Sequence, residues 1–277
     1  MTVQKIAAFS DGNTGGNPAG VLIADTHPSE ADMRQIAADV GFSETAFAAP
    51  VSDAFRVRYF SPESEVPFCG HATIALGAAL ALKEGDGIFK LVLNDAEITV
   101  EGHQQDGVIS AVLQSPPTYS GEASPQLVSD VLTLLGYGQD DLDRRIPPAR
   151  INGGAKHLVL ALKTRDALAA MDYDLAAGRE LMNRESIVTI TLVYIETPQL
   201  FHARNPFASG GVYEDPATGA ATAAFAGYLR DIDWPHNGVI NIVQGEDMGM
   251  RSLLRAEISP VKGSSIRISG TARVMDA

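Results

Sequence analysis

Hydrophobic and polar positions along the chain predict a mixture of short strands and amphipathic helices. Residues 3–9 and the alternating stretch 55–60 have the pattern of half-buried strands. Residues 29–40 and 124–135 carry apolar side chains at helical spacing, and each stretch starts at a serine N-cap and ends before a glycine. Strand-like alternation and helical spacing both occur in each half of the chain.

Further strands and one more helix are predicted along the chain. The strands cover residues 42–48, 89–93, 98–101, 108–113, 187–195, 239–243, 252–258 and 265–269, and the helical stretch covers residues 165–182. The run 187–195 is continuously apolar and β-branched, which suits a strand that is buried on both faces.

Two stretches of small apolar residues, 65–80 and 214–229, predict the most buried helices. Each begins with a turn that holds a glutamate, a proline and a glycine, and then runs into alanine-rich sequence. Aligned without gaps, they share seven of sixteen positions: Glu65/Glu214, Pro67/Pro216, Gly70/Gly219, Ala72/Ala221, Thr73/Thr222, Ala75/Ala224 and Leu80/Leu229. Weaker echoes, such as Arg58/Arg204, follow the same order, so we predict two copies of one unit.

The predicted duplication divides the chain into two domains. We place the first at residues 1–116 with a central helix at 70–83, and the second at 117–277 with a central helix at 219–230. The last strand could pack back on the first domain. Two such domains imply a cleft, and helices that start there at Gly70 and Gly219 would offer N–H groups to the carboxylate of a small acid.

Composition favours a globular protein and excludes several kinds of partner. The chain has 277 residues, of which 45% are hydrophobic, enough for one large or two medium cores. A formal net charge of −13 would repel nucleic acid and anionic lipid. Because no stretch approaches roughly 18 apolar residues and no secretory h-region is present, we expect a cytoplasmic protein with neither a nucleic-acid nor a membrane partner.

One cysteine and six histidines limit the metal and disulfide chemistry. Cys69 alone cannot form an intrachain disulfide, and the histidines show no metal-ligand spacing with it or with one another. The glycine-rich stretch 10–23 has neither the G-x-G-x-x-G order nor a GK[ST] ending, so nucleotide binding is weakly supported. The spacing of these residues therefore predicts no metal site.

Four motifs, in order, are similar to those of a known family. They are residues 16–21 (GNPAGV), 42–47 (FSETAF), 67–73 (PFCGHAT) and 214–221 (EDPATGAA). Together they resemble the PhzF-like (phenazine biosynthesis) family over nearly the whole chain. The resemblance implies the α+β fold of diaminopimelate epimerase, with two pseudo-symmetric domains, each a sheet wrapped round a central helix. It also implies a homodimer with a biosynthetic role.

The resemblance further implies a cofactor-independent isomerase that moves a proton between carbons of a small unsaturated or cyclic carboxylic acid. The catalytic glutamate of the family falls on Glu44, and its supporting histidine and aspartate fall on His71 and Asp215. A partly buried glutamate can take a proton next to a carboxylate-bearing carbon and return it elsewhere. Substrate contacts are expected from Asn17, Ser43, Gly70, Thr218 and Gly219.

Each of these assignments has a structural alternative. Outside the motif, Glu44 would be a solvent-facing strand residue and His71 a helix-start residue satisfied by backbone. Asp215 could simply cap the turn before its helix, and Asn17 could serve loop geometry alone.

Two departures from the patterns of related proteins leave other functions open. In the epimerases and racemases of this fold, a cysteine precedes each helix glycine, but here Cys69 is matched by Thr218, whose hydroxyl is too weak an acid to replace a thiolate. In residues 244–252, Met250 stands where many family members have arginine, which favours a substrate other than the phenazine precursor. A racemase or epimerase that uses Cys69, and a non-catalytic ligand-binding or interaction protein, remain as alternatives.

Overall fold

The structure, a computed structural model, describes residues 2–275 of the chain. Its contacts divide into two compact units. The first unit holds the described residues through Gln114 and those from Ser269 onward, and the second is Ser115–Ile268. Within the described range, none of the helices combines the length and the apolar character that crossing a membrane requires.

The first unit is a closed barrel around one helix. Its elements are β1 (Gln4–Ala8), β2 (Asn17–Ile23), α1 (Glu30–Val40), β3 (Thr45–Val51), β4 (Ala54–Phe60), β5 (Glu65–Val66), α2 (Gly70–Glu84), β6 (Gly87–Val92), β7 (Glu97–Gln105) and β8 (Val108–Gln114). In the described residues the strands follow the order β1-β2-β3-β4-β6-β7-β8, and the last strand of the chain pairs with both β8 and β1. This last pairing closes the barrel.

Helix α2 fits inside the barrel because its residues are small. It packs against strands on several sides of the barrel, and the run from His71 to Ala81 is buried throughout. A Cβ atom on Gly77 would lie 2.6 Å from Val100 Cγ2, and one on Gly102 would lie 2.3 Å from the carbonyl oxygen of Gly77. Helix and strand approach so closely that both positions require glycine.

Helix α1 covers the outside of the barrel as its sequence predicts. The Ser29 side chain accepts a hydrogen bond from the Asp32 N–H, and Gly41 ends the helix with a φ of 72°. On its buried face, Met33 and Ala37 join an apolar cluster with residues of β2, β3 and β4.

The second unit is a mixed sheet with helices on both faces. Its elements are β9 (Tyr119–Glu122), α3 (Pro125–Leu135), β10 (Ala149–Asn152), β11 (Lys156–Leu162), α4 (Arg165–Ala169), α5 (Leu175–Arg184), β12 (Thr189–Thr197), β13 (Leu200–Arg204), β14 (Pro206–Phe207), β15 (Val212–Glu214), α6 (Gly219–Asp231), β16 (Val239–Gln244), β17 (Ser252–Glu257) and the start of β18 (Arg267–Val274). The sheet order is β17-β16-β13-β12-β11-β10-β9.

The two faces of this sheet bury different helices. Helix α6 packs against β9, β10, β11 and β17, and its residues from Ala221 to Arg230 are buried. Apolar residues of α3 and α5 form a second core with Leu158, Leu160 and Leu192 of the sheet. The continuous apolar sequence of β12 follows from this double coverage.

Three predicted elements differ from those observed. The helical stretch 165–182 is two helices, because Asp174 accepts a hydrogen bond from the Ala177 N–H and starts α5 as a new N-cap. The strand predicted at 265–269 is β18, which runs further because its end pairs with β1. The strand predicted at 42–48 begins only at Thr45, where pairing with Phe60 starts, so Glu44 lies just before it.

The same ion pair precedes the central helix in both units. Arg58 donates to the two carboxylate oxygens of Glu65 at 2.8 and 2.6 Å. Arg204 donates to those of Glu214 at 3.0 and 2.5 Å. All four residues are positions of the predicted repeat, and a bidentate pair of this kind holds the segment that leads into each helix.

The two pairs differ in exposure to water. The side chains of Arg58 and Glu65 are each 21% exposed, whereas those of Arg204 and Glu214 are 8% and 3% exposed. Hydrogen bonds from Arg58 favour the ionised carboxylate and lower the pKa of Glu65 to about 2.

Replacing Gly102 with alanine should destabilise the first unit, because the new methyl group would collide with backbone. We expect a loss of about 2 kcal/mol in the free energy of unfolding, measured by urea denaturation. Gly87 is paired directly with Gly102 across β6 and β7, and a Cβ there would lie 3.6 Å from Phe89. Gly87→Ala is therefore the matched control, with a change within about 0.5 kcal/mol; equal losses in both variants would contradict this account.

Acid should remove the contribution of the Arg58–Glu65 pair. The pKa of Glu65 is lowered on folding, so its stabilising effect is present above the ordinary value of about 4.5 and is lost as the pH falls towards about 2. The wild type should exceed Glu65→Gln by on the order of 1–2 kcal/mol at pH 6, after allowance for solvent screening, and by little at pH 2. Glu63→Gln, at an exposed position nearby, should show no such trend. A difference between wild type and Glu65→Gln that is independent of pH would refute the assignment.

Candidate active site

A carboxylate, an imidazole and a thiol lie together in the first unit. The Nε2 atom of His71 is 3.5 Å from Glu44 Oε2 and 3.4 Å from Ser43 Oγ. Its other ring nitrogen, Nδ1, is 3.3 Å from Cys69 Sγ. One ligand-type atom from each of Glu44, Cys69 and His71 falls within 4.8 Å of the other two. We call these three residues the Glu-His-Cys cluster.

Local structure explains why these side chains meet. Cys69 and His71 flank Gly70 at the start of α2, whereas Ser43 and Glu44 immediately precede β3. Strand β3 pairs with β4, and β4 leads through the β5 turn into α2, so the two segments return to the same end of the barrel. The main-chain oxygen of Glu44 also accepts a hydrogen bond from the Gly20 N–H at 3.2 Å.

A buried chain of hydroxyl groups holds Cys69 in place. The Thr73 hydroxyl donates to the carbonyl oxygen of Cys69 at 2.7 Å, and the Tyr59 hydroxyl lies 2.7 Å from Thr73 Oγ1. Because Thr73 uses its proton on Cys69, Tyr59 acts as the donor to Thr73. Burial raises the pKa of Tyr59 above its ordinary value, which keeps this donor protonated.

Burial differs across the Glu-His-Cys cluster. The side chain of His71 is 7% exposed, whereas that of Glu44 is 16% exposed. Cys69 is buried as well. The carboxylate is therefore the member that a small molecule reaches first, and the imidazole supports it from the protein side.

The second unit contains its own polar cluster around the start of α6. The Thr218 hydroxyl donates to Asp215 Oδ2 at 2.6 Å. The buried Gln244 side chain donates to the Asp215 carbonyl oxygen at 2.7 Å and to Thr218 Oγ1 at 3.0 Å. Gln244 thus holds the turn that carries Asp215 in one conformation.

The structure places the predicted site residues in two groups. Ser43, Glu44, Gly70 and His71 are neighbours in the first unit. Asp215, Thr218 and Gly219 are neighbours in the second.

Asn17 lies in the first unit as the first residue of β2. It is 2% exposed and pairs with Ala8 in the barrel. A turn at residues 11–14 and two glycines, Gly15 and Gly16, lead into this strand.

Sequence patterns missed two features of these clusters. Metal-ligand spacing along the chain does not indicate the Glu-His-Cys cluster, because its third member, Glu44, comes from a distant segment. The sequence also gives no sign that the Gln244 side-chain amide holds the Asp215 turn, since the two residues are far apart in the chain. In the same motif, Arg251 Nε lies 3.3 Å from Glu246 Oε1.

Comparison with known proteins supports one family. The chain matches the family described as "Phenazine biosynthesis-like protein" over residues 6–277. An uncharacterized isomerase of Mesorhizobium japonicum is 32% identical to it, over 95% of this chain and 93% of that protein.

Solved structures show the same fold at lower sequence identity. A PhzF-family phenazine biosynthesis protein of Bacillus anthracis aligns with a TM-score of 0.87 at 22% identity, covering 99% of this chain and 96% of that one. A probable proline racemase of Agrobacterium radiobacter aligns with a TM-score of 0.66 at 12% identity, covering 99% and 90%. The predicted α+β fold of the diaminopimelate epimerase type is confirmed. With the family matched from residue 6 to the end of the chain, this protein belongs to the PhzF-like family of phenazine biosynthesis-like proteins and is an isomerase.

Proposed function

We propose that this isomerase moves a proton between two carbons of a small unsaturated or cyclic carboxylic acid, with Glu44 as the acid/base. The observation that carries the proposal is the position of the Glu44 carboxylate, 3.5 Å from His71 Nε2 and only partly exposed. A carboxylate so placed is open to a substrate on one side and held by an imidazole on the other. Proton transfer by a positioned carboxylate needs no cofactor.

The proposed proton transfer involves only the substrate and Glu44. Glu44 removes a proton from a carbon whose electron pair can spread into the neighbouring unsaturation or carboxylate. The neutral Glu44 then returns the proton to another carbon of the same conjugated system, so that one C–H bond breaks, one forms and nothing is oxidised. His71, whose Nε2 atom also lies 3.4 Å from Ser43 Oγ, holds the carboxylate in position through these two steps.

The geometry favours this reaction over two-base racemisation within the Glu-His-Cys cluster. Two bases on opposite faces of one carbon, each about 3–3.5 Å from it, would be roughly 6–7 Å apart. The ligand atoms of Glu44 and Cys69 are within 4.8 Å of each other, too close to enclose a substrate carbon. Proton transfer by one base on one face of the substrate suits this spacing.

The second-unit residues have a binding role in the proposal. Asp215, held by Thr218 and Gln244, would bind a polar group of the substrate, and the N-terminus of α6 would attract its negative charge. The homodimer and the biosynthetic role stay predictions of the family resemblance, and the cytoplasmic location stays a prediction from the sequence.

Solvent-deuterium uptake tests the role of Glu44. A screen of small carboxylic acids for thermal stabilisation first identifies a ligand, since binding to the folded state raises the melting temperature. In D₂O, Glu44→Gln should lower deuterium incorporation into that acid by at least about 100-fold, as expected when a general base is lost. NMR or mass spectrometry measures the incorporation.

Two variants serve as controls for this experiment. Glu63→Gln, at an exposed position, should exchange at the wild-type rate, and Cys69→Ala should retain exchange. If Cys69→Ala abolishes uptake while Glu44→Gln keeps it, the racemase alternative is correct. If the wild-type protein incorporates deuterium into none of the acids, the result favours the alternative of a non-catalytic binding protein.

Asp215→Asn tests the second-unit assignment. The variant should keep the hydrogen bond with Thr218 but lose the negative charge, and we expect kcat/KM to fall by about tenfold or more. Thr218→Val, which removes the hydroxyl donor while preserving the carboxylate, should have a smaller effect. An Asp215→Asn enzyme of wild-type efficiency would show that Asp215 only caps its turn.

A further inference from the structure

We propose that the Glu-His-Cys cluster binds a thiophilic divalent metal ion such as zinc, and that the bound ion inhibits the isomerase activity of the protein. The site consists of Cys69 Sγ, one ring nitrogen of His71 and a carboxylate oxygen of Glu44. Thiolate, imidazole and carboxylate are the three kinds of ligand that zinc takes in proteins. Magnesium and calcium prefer oxygen donors alone, so the donor set discriminates against them.

The distances suit a tetrahedral ion after a small movement. Zinc bonds of about 2.0–2.3 Å place neighbouring donor atoms roughly 3.3–3.8 Å apart. Cys69 Sγ already lies 3.3 Å from His71 Nδ1, and all three donor atoms fall within 4.8 Å. Only the glutamate has to approach by about 1 Å to complete a three-ligand site, with water as the fourth ligand.

The two ring nitrogens of His71 decide which side chain must move. Cys69 is next to Nδ1, whereas Glu44 is next to Nε2, and one metal ion takes only one of these nitrogens. Cys69 and His71 are both fixed at the start of α2, and Thr73 holds the Cys69 main chain. Glu44 has the most exposed side chain of the three cluster residues. Rotation of its carboxylate towards Nδ1 of His71 would complete the ligand set.

Binding would compete with proton transfer. The Cys69 thiol releases its proton to solvent when its sulfur bonds to the metal, and no electron is transferred. The Glu44 carboxylate is then bonded to the ion and cannot accept a proton from a substrate carbon. Metal binding itself rests on the geometry alone, whereas the loss of activity rests on the proposed function of Glu44.

The first unit also contains a natural control cluster. His103 lies 3.7 Å from Asp86 and 3.8 Å from Glu101, so it combines an imidazole with two carboxylates. It lies on the surface, with a side chain that is 47% exposed, and contains no thiol. Adventitious metal binding at this surface cluster would be removed by His103→Ala, whereas binding at the Glu-His-Cys cluster would not.

Cobalt(II) and zinc titrations of the full-length protein test the proposal. Cobalt(II) should give one equivalent of a near-ultraviolet thiolate-to-metal charge-transfer band. Cys69→Ala and the near-isosteric Cys69→Ser should lose this band, and both should bind zinc at least about tenfold more weakly in competition with a chromophoric chelator. His103→Ala should keep both the band and the zinc affinity of the wild type.

The controls separate binding, folding and function. Each variant is compared with the wild type by its melting temperature without metal, and Cys69→Ser is used if Cys69→Ala melts lower. Because Cys69 is the only cysteine of the sequence, the thiolate band reports on that side chain alone. An unchanged zinc affinity in both Cys69 variants would overturn the proposal, as would failure of the wild type to bind cobalt(II) with a thiolate band. If zinc binds as expected but leaves deuterium uptake intact, the metal site stands and its inhibitory effect is refuted, whereas the role of Glu44 in proton transfer is judged by the Glu44→Gln variant.

Discussion

The close packing of a small-residue helix inside a closed barrel is the constraint on which the first unit depends. Gly77 and Gly102 let α2 and β7 approach until main-chain atoms are in contact, and no larger side chain fits there. A helix held this tightly begins at a fixed place. Cys69 and His71, at that beginning, are therefore positioned by the packing of the whole barrel and not by loop conformation.

Both units build their central helix in the same way but place different chemistry at its start. An arginine–glutamate pair precedes each helix, a glycine begins it, and small residues fill its buried face. At the start itself, Cys69 corresponds to Thr218, and His71 corresponds to Ala220. The shared residues serve the fold, whereas the differing ones place a thiol and an imidazole at one helix start and a hydroxyl–carboxylate turn at the other.

The chemistry of the Glu-His-Cys cluster explains why proton transfer and metal binding would exclude each other. A carboxylate that accepts a proton from carbon must have a free oxygen, and the same oxygen completes the ligand set for a metal ion. The buried imidazole can support either the proton-accepting or the metal-bound state of Glu44, because its two nitrogens contact different partners. Cys69 has no part in the proposed proton transfer and acquires a role only in the metal-bound state.

The sequence by itself predicted most of the elements, an internal duplication and the family, because each depends on local patterns: helix caps such as Ser29 and Gly41, small residues at helical spacing, and motifs of contiguous residues. It also pointed to Glu44, His71 and Asp215 through those motifs. Only the tertiary structure decided that Glu44 precedes its strand, that Cys69 contacts the imidazole, and that Gln244 holds the Asp215 turn. These contacts join residues far apart in the chain, and their distances are set by strand register and helix packing, which no local pattern encodes.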